Sequence, residues 1–128
     1  MNYQNELYCK QECYEIQGAI FDVYKEMGAG FLEAVYQECL EKELLGRQIP
    51  FVSQQEFKLT YKGEILQQTF RPDLICYGEI IVELKALSQA CGEHESQVLN
   101  YLKATDKKLG LLVNFGAHPK ATVQRLVL

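Results

Sequence analysis

Residues 80–87, IIVELKAL, constrain the fold more than any other part of the chain. The segment is apolar enough to be an interior strand, yet Glu83 and Lys85 interrupt it. Side chains alternate along a strand. Glu83 and Lys85 therefore share one face, while Ile80, Val82, Leu84 and Ala86 take the other. Charged groups are almost never fully buried without partners. This pair needs each other, a metal or a substrate. A second apolar run, Leu74-Ile75-Cys76, follows Asp73 a few residues upstream and raises the same question.

The rest of the chain can be placed around these two strands. Residues 5–27 carry Leu7, Ile16, Ala19, Ile20, Val23 and Met27, a packing face at helical spacing from residue 16 onward. Gly28-Ala29-Gly30 ends it. Residues 31–45 predict a second helix with Leu32, Val35, Tyr36, Cys39 and Leu40 on its apolar face and Gly46 as its stop. Glu33 falls in its first turn, where an acid complements the helix dipole or borders a site.

After Pro50 the period becomes two. Phe51, Ser53, Gln55, Phe57, Leu59 and Tyr61 would line one face of a strand, which puts an amide on a mostly apolar side. Lys62-Gly63 reads as a hairpin turn into a strand over residues 64–76. Pro72 within that strand cannot donate to a ladder and hints at an edge, bulge or bend beside Asp73. Tyr77-Gly78-Glu79 turns into the strand of Glu83. A helix is predicted over 93–104, with His94, Gln97, Val98 and Tyr101 on one face and Lys103, Lys107 and Lys108 near its end. Residues 109–115 form a short buried strand, and 123–128 a final edge strand. The order predicts an α/β fold with a mixed central sheet flanked by helices.

Composition narrows the function classes. A chain of 128 residues with 48% hydrophobic content suits one globular domain, with residues 1–27 as a helical extension on the core. No apolar run approaches the ~20 residues of a membrane span. The N-terminal MNYQNELYCK shows no apolar segment of a secretory signal. The five cysteines are scattered without a CxxC pair, which argues against a zinc site or disulfide framework and for a reducing cytoplasm. The net charge of −4 is unevenly placed: residues 1–45 hold nine acids and three bases, and the remainder eight acids and ten bases. The acidic excess thus lies away from Asp73 and Glu83, and a polyanionic partner is only mildly disfavoured.

Asp73 followed by Glu83-x-Lys85 is a D…ExK pattern. Two carboxylates held at ~4 Å in an effective dielectric near 20 repel by ~4 kcal/mol. A divalent cation such as Mg²⁺ reverses that sign and can acidify a bound water and polarise a phosphoryl oxygen. Lys85 beside it could orient or deprotonate that water, or stabilise the transition state. The chemistry is that of a phosphodiester hydrolase. The same pattern is met by a structural Glu83–Lys85 or Asp73–Lys85 ion pair.

The residues RPD at 71–73 and ELK at 83–85 resemble the PD-(D/E)XK nuclease superfamily, and more narrowly its small GxxExxY proteins. The narrower likeness lies in Gly30-Phe31-Leu32-Glu33-Ala34-Val35-Tyr36, VELKA at 82–86, QVLNYL at 97–102 and GLLVNFG at 110–116. It covers residues 16–127. The resemblance implies a restriction-endonuclease-like core, α-βββ-α-β. It implies Mg²⁺ or Mn²⁺ on Asp73 and Glu83, with Glu33 as a further acid, and catalytic roles for Asp73, Glu83, Lys85 and Gln97. Tyr36, Tyr101, Lys103 and Lys107 are candidate substrate contacts. The partner implied is nucleic acid, with DNA preferred. A homodimer would let so small a chain span a duplex, though no residue pattern specifies one. A catalytically silent nucleic-acid-binding module and a protein-interaction module on the same fold remain open.

Overall fold

The structure, a computed structural model, describes residues 8–89 and 92–128. Helix α1 spans Lys10–Met27 and buries Cys13, Ile16, Ala19, Ile20 and Val23, the helical stripe read from the sequence. Residues 5–7, part of the expected helix, lie outside the described residues, as does Leu7 of its stripe. Gly28 ends α1 at φ +69°, with its N–H donating to Tyr24 O at 2.7 Å. Helix α2 spans Glu33–Gly46 and buries Tyr36, Leu40 and Leu44. Leu32, expected on its apolar face, precedes the helix and is 79% exposed. Gly46 is the last helical residue rather than the stop beyond it. Arg47 follows, and its guanidinium binds Asp22 of α1 and, at 3.1 Å, Glu43 of α2.

Strands β1 (Phe51–Ser53), β4 (Leu74–Cys76), β5 (Ile80–Lys85), β6 (Leu109–Asn114) and β7 (Thr122–Val127) form one sheet in the order β1-β4-β5-β6-β7. The pairings β1–β4, β4–β5 and β6–β7 are antiparallel, and β5–β6 is parallel. A parallel pair needs a crossover, which helix α3 (Gly92–Thr105) supplies. The sheet is mixed and flanked by helices, a fold consistent with the restriction-endonuclease-like core. Helices α1 and α2 cover one face, over Ile80, Val82 and Leu84. On the other face Val98 and Leu102 of α3 pack on Ile75 and Ile81.

Two expected strands are each broken in two. Residues 51–61 divide into β1 and β2 (Phe57–Tyr61), which belong to different sheets. Gln54 reverses the chain between them at φ +54°. Gln55, expected on an apolar face, is therefore exposed. Residues 64–76 divide into β3 (Glu64–Phe70) and β4, with Pro72 in the break beside Asp73. Strands β2 and β3 pair only with each other, as a separate hairpin turned at Lys62-Gly63, both in positive φ. The hairpin is an insertion between the first and second strands of the main sheet, and periodicity alone ran it into its neighbours.

Candidate functional site

Asp73 and Glu83 meet at the end of the β4–β5 pairing. The register sets Leu74 against Val82, which places the residues preceding and following them side by side. The Asp73 backbone N–H donates to Glu83 Oε1 at 2.6 Å, and Leu84 N–H donates to Asp73 Oδ2 at 2.8 Å. Each carboxylate is thus fixed by backbone belonging to the other's strand. Pro72, buried in the break, starts this turn without needing a donor of its own.

Glu83 is only 4% exposed and is the one buried charged residue among the described residues. Burial pushes its carboxyl up to about 7, with the Asp73 charge adding to the rise; the Asp73 N–H and Lys85 oppose it, and Glu33 adds slightly. The alternative of a structural ion pair does not hold. Among the described residues neither carboxylate has a Lys or Arg nitrogen within 4.0 Å.

Two glutamines that sequence reasoning did not single out hold Asp73. Gln54 Nε2 donates to Asp73 Oδ1 at 3.2 Å, and its N–H to Asp73 O at the same distance. Gln37 Nε2 donates to Asp73 O at 3.0 Å and to Glu41 Oε2 at 2.8 Å. Gln37 stands one helical turn beyond Glu33, the only signal that could have suggested it. Gln54 carried no signal, because its role depends on a left-handed turn between two sheets. Glu33, Ala34, Gln37, Gln54, Asp73 and Leu84 line an open cleft of about 380 Å³.

The other expected residues are placed unevenly. Glu33 is exposed at the start of α2 and lines the cleft with Asp73. Lys85 shares the α3-facing side of β5 with Glu83 but lines a separate, smaller recess with His94, Glu95, Asn114 and Gln124. Tyr101 on α3 stacks on Phe70 with ring centroids 4.6 Å apart. Burial raises its hydroxyl above the ordinary tyrosine value, Glu83 and Asp73 raise it further, and Gln97 opposes them. Tyr101 thus stands in the electrostatic neighbourhood of the carboxylates, with Gln97 beside it. Gln97 Oε1 is buried with no hydrogen-bond partner.

Two expected contacts, Tyr36 and Lys107, are set apart. Tyr36 is fully buried: its hydroxyl donates to Gly28 O and accepts from Phe31 N at 3.2 Å, and its ring stacks on Phe115 at 4.5 Å. Its polar group is used by the loop joining α1 to α2, so it offers nothing to a substrate. Lys107 donates to Gly78 O at 2.9 Å, at the start of β5, while Glu83 and Lys85 stand at its other end. Three to five residues of β5 separate Ile80 from them, roughly 10–17 Å at ~3.3 Å each. Lys103 is exposed on the last turn of α3.

The donor set suits a hard, oxygen-seeking cation. Two carboxylates, one of them buried without a cationic partner among the described residues, match what Mg²⁺ or Mn²⁺ takes up alongside water. Among the described residues no three His, Cys, Asp or Glu side chains converge on one point, so a protein-only cage is not formed. Among the described residues no cysteine lines the cleft. Burial pushes the Cys76 thiol up to about 12, and burial with Glu79 pushes Cys9 to about 11.

A three-stranded antiparallel unit, a crossover helix, a parallel strand and a carboxylate pair at a strand end define a nuclease-like α/β protein. Residues 10–126 match the PD-(D/E)XK nuclease superfamily, and the chain belongs to it. Its members generally use divalent metals, and a nucleic-acid substrate is the class this membership suggests. No curated protein matches the chain. Among solved structures it is similar to that titled "Crystal structure of SSO0001", at a TM-score of 0.59 and 18% identity. That likeness covers 96% of this chain and 61% of the other, and it shows the fold alone. No described helix is long and apolar enough to cross a membrane.

Proposed function

We propose that the protein is a divalent-metal-dependent nuclease that hydrolyses phosphodiester bonds, with DNA as its substrate. The observation that carries this reading is Glu83: a buried acid, raised to about 7, fixed on Asp73 and without a cationic partner among the described residues. A carboxylate pair so arranged is costly unless a cation joins it. Asp73 and Glu83 would hold Mg²⁺ or Mn²⁺, with Glu33 at the cleft rim as a further acid. The metal, when bound, supplies an activated water and polarises the phosphoryl oxygen. Lys85 supplies positive charge beside Glu83, and Gln97 and Tyr101 offer polar groups from α3. Residues 1–128 then act as a single domain on which α1 is a helical extension. The four described cysteines are free, which fits the cytoplasm. The motifs of Gly30–Tyr36 and residues 97–102 support placement among the GxxExxY proteins.

Purified protein is to be incubated with single- and double-stranded DNA and RNA in Mg²⁺ or Mn²⁺. Cleavage lost in Asp73→Ala is the expected result; cleavage no greater than that of Asp73→Ala under every condition refutes the reading. A second reading is favoured by one observation: Lys85 lines a recess separate from the cleft of Asp73. It is a catalytically silent nucleic-acid-binding or protein-interaction module. It predicts binding that is indifferent to Asp73→Ala and Lys85→Ala.

A further inference from the structure

The β2–β3 hairpin stands apart from the main sheet but is rooted at the candidate site. Gln54 precedes it and Asp73 follows it, and the two are joined by the Gln54 Nε2 donor. At its root Phe57 stacks on Phe70 at 5.4 Å, and Phe70 on Tyr101 at 4.6 Å. Arg71 closes the root on Glu56 at 3.2 Å. A lone two-stranded hairpin is marginally stable in water, so this aromatic stack is what orders it. The arm is thereby fixed in position relative to Glu83 and Asp73.

Its own balance is positive. Residues 57–70 hold two lysines and one glutamate in a chain of net charge −4. Lys58 and Lys62 are exposed, with no carboxylate within 4.0 Å among the described residues. Lys58 stands opposite Thr69, and Lys62 at the tip lies 5.4 Å over the ring of Tyr61, itself 62% exposed. Strand β3 is exposed along its length as far as Phe70. The cleft itself is acidic, through Glu33 and Asp73, and repels a polyanion. A polyanionic substrate brought there needs cations close by, and a two-stranded ribbon is a shape that a duplex groove accepts.

We infer that the β2–β3 hairpin is a nucleic-acid-docking arm, which grips the phosphate backbone of a duplex through Lys58 and Lys62 and holds it beside Asp73 and Glu83. This deepens, and rests on, the reading of that site as a phosphodiester hydrolase. The test is anisotropy of a labelled short DNA duplex with the full chain in EDTA over a salt series, run beside cleavage in Mn²⁺. The double variant Lys58→Ala/Lys62→Ala should weaken binding about tenfold or more. It should also reduce the slope of log affinity against log salt by about 1.8, or ~0.9 for each lost phosphate contact. Lys58→Arg/Lys62→Arg should retain both. Circular dichroism checks the fold, and Lys62→Ala at the tip serves if the double variant does not fold.

Duplex binding by the wild type that the alanine variants leave unchanged, or no duplex binding at all, overturns the arm. So does a wild-type dimer broken by Ile65→Lys, at an exposed apolar residue of β3, with duplex affinity unaltered, because the hairpin would then be a contact between copies. Binding that depends on the lysines without any cleavage overturns the hydrolase reading and leaves the arm standing. Cleavage that is indifferent to the lysines does the reverse.

Discussion

Replacing Glu83 by glutamine tests the physical core of the site without requiring any activity. The substitution removes the charge and keeps an oxygen for the Asp73 N–H, which now donates to Glu83 Oε1 at 2.6 Å. Burial and the Asp73 charge raise the Glu83 carboxyl from 4.5 to about 7 in the folded protein. The folded state therefore holds this proton more tightly than the unfolded chain. The stability it contributes is fully present below pH ~4.5 and is lost as pH rises through about 7. At roughly 1.4 kcal/mol per pH unit, that interval corresponds to about 3 kcal/mol, an order-of-magnitude figure. Urea denaturation in EDTA at a series of pH values from 4.5 to 8 should show the wild type losing stability relative to Glu83→Gln by about this amount. Millimolar Mn²⁺ at pH 8 should restore it to the wild type alone, by about 2.7 kcal/mol at a hundredfold excess over Kd. Parallel pH profiles for the two proteins would show that Glu83 is already ionised without cost, and the reasoning about a buried, cation-seeking acid would fail.

Three further outcomes follow from the packing. A Cβ on Gly110 would stand 2.5 Å from Val98 Cγ1. Gly110→Ala should push α3 off the sheet at a cost of about 1–3 kcal/mol, read by thermal denaturation, and should lower nuclease activity because Gln97 and Tyr101 move with the helix. Asn114 clamps the chain beyond Lys85: it donates to Leu87 O at 3.0 Å and accepts from Leu87 N at 2.8 Å and Gly116 N at 2.9 Å. Asn114→Ala should cost about 2–4 kcal/mol in denaturant, since part-buried backbone groups lose their partners. Tyr36→Phe should cost about 1 kcal/mol through its lost hydroxyl bonds while cleavage of DNA at a temperature well below unfolding stays at the wild-type rate.

Periodicity and turn chemistry carried much of the fold because each reports a local cause. The stripe of Ile16, Ala19, Ile20 and Val23, the turn at Lys62-Gly63 and the alternation around Glu83 are all properties of neighbouring residues. Helix and strand types were legible for that reason. The two merged strands were not. A period of two continues unbroken through residues 51–61, and nothing local says that the chain changes sheets at Gln54. The same blindness hid Gln54 and Gln37 from the site, because both act on Asp73 across tertiary contacts.

Tyr36 and Lys107 are polar groups whose partners the sequence does not reveal. Tyr36 is enclosed against Phe115, and Lys107 donates to Gly78 O at the other end of β5 from Glu83. By itself the sequence determined that a charge pair must sit inside an apolar strand, because alternation leaves Glu83 and Lys85 no other place. Only the tertiary structure decided which groups share that burial. Pairing β4 with β5 is what sets Asp73 on Glu83 and leaves Lys85 facing a different recess, since strand register, unlike side-chain alternation, depends on residues distant in the chain.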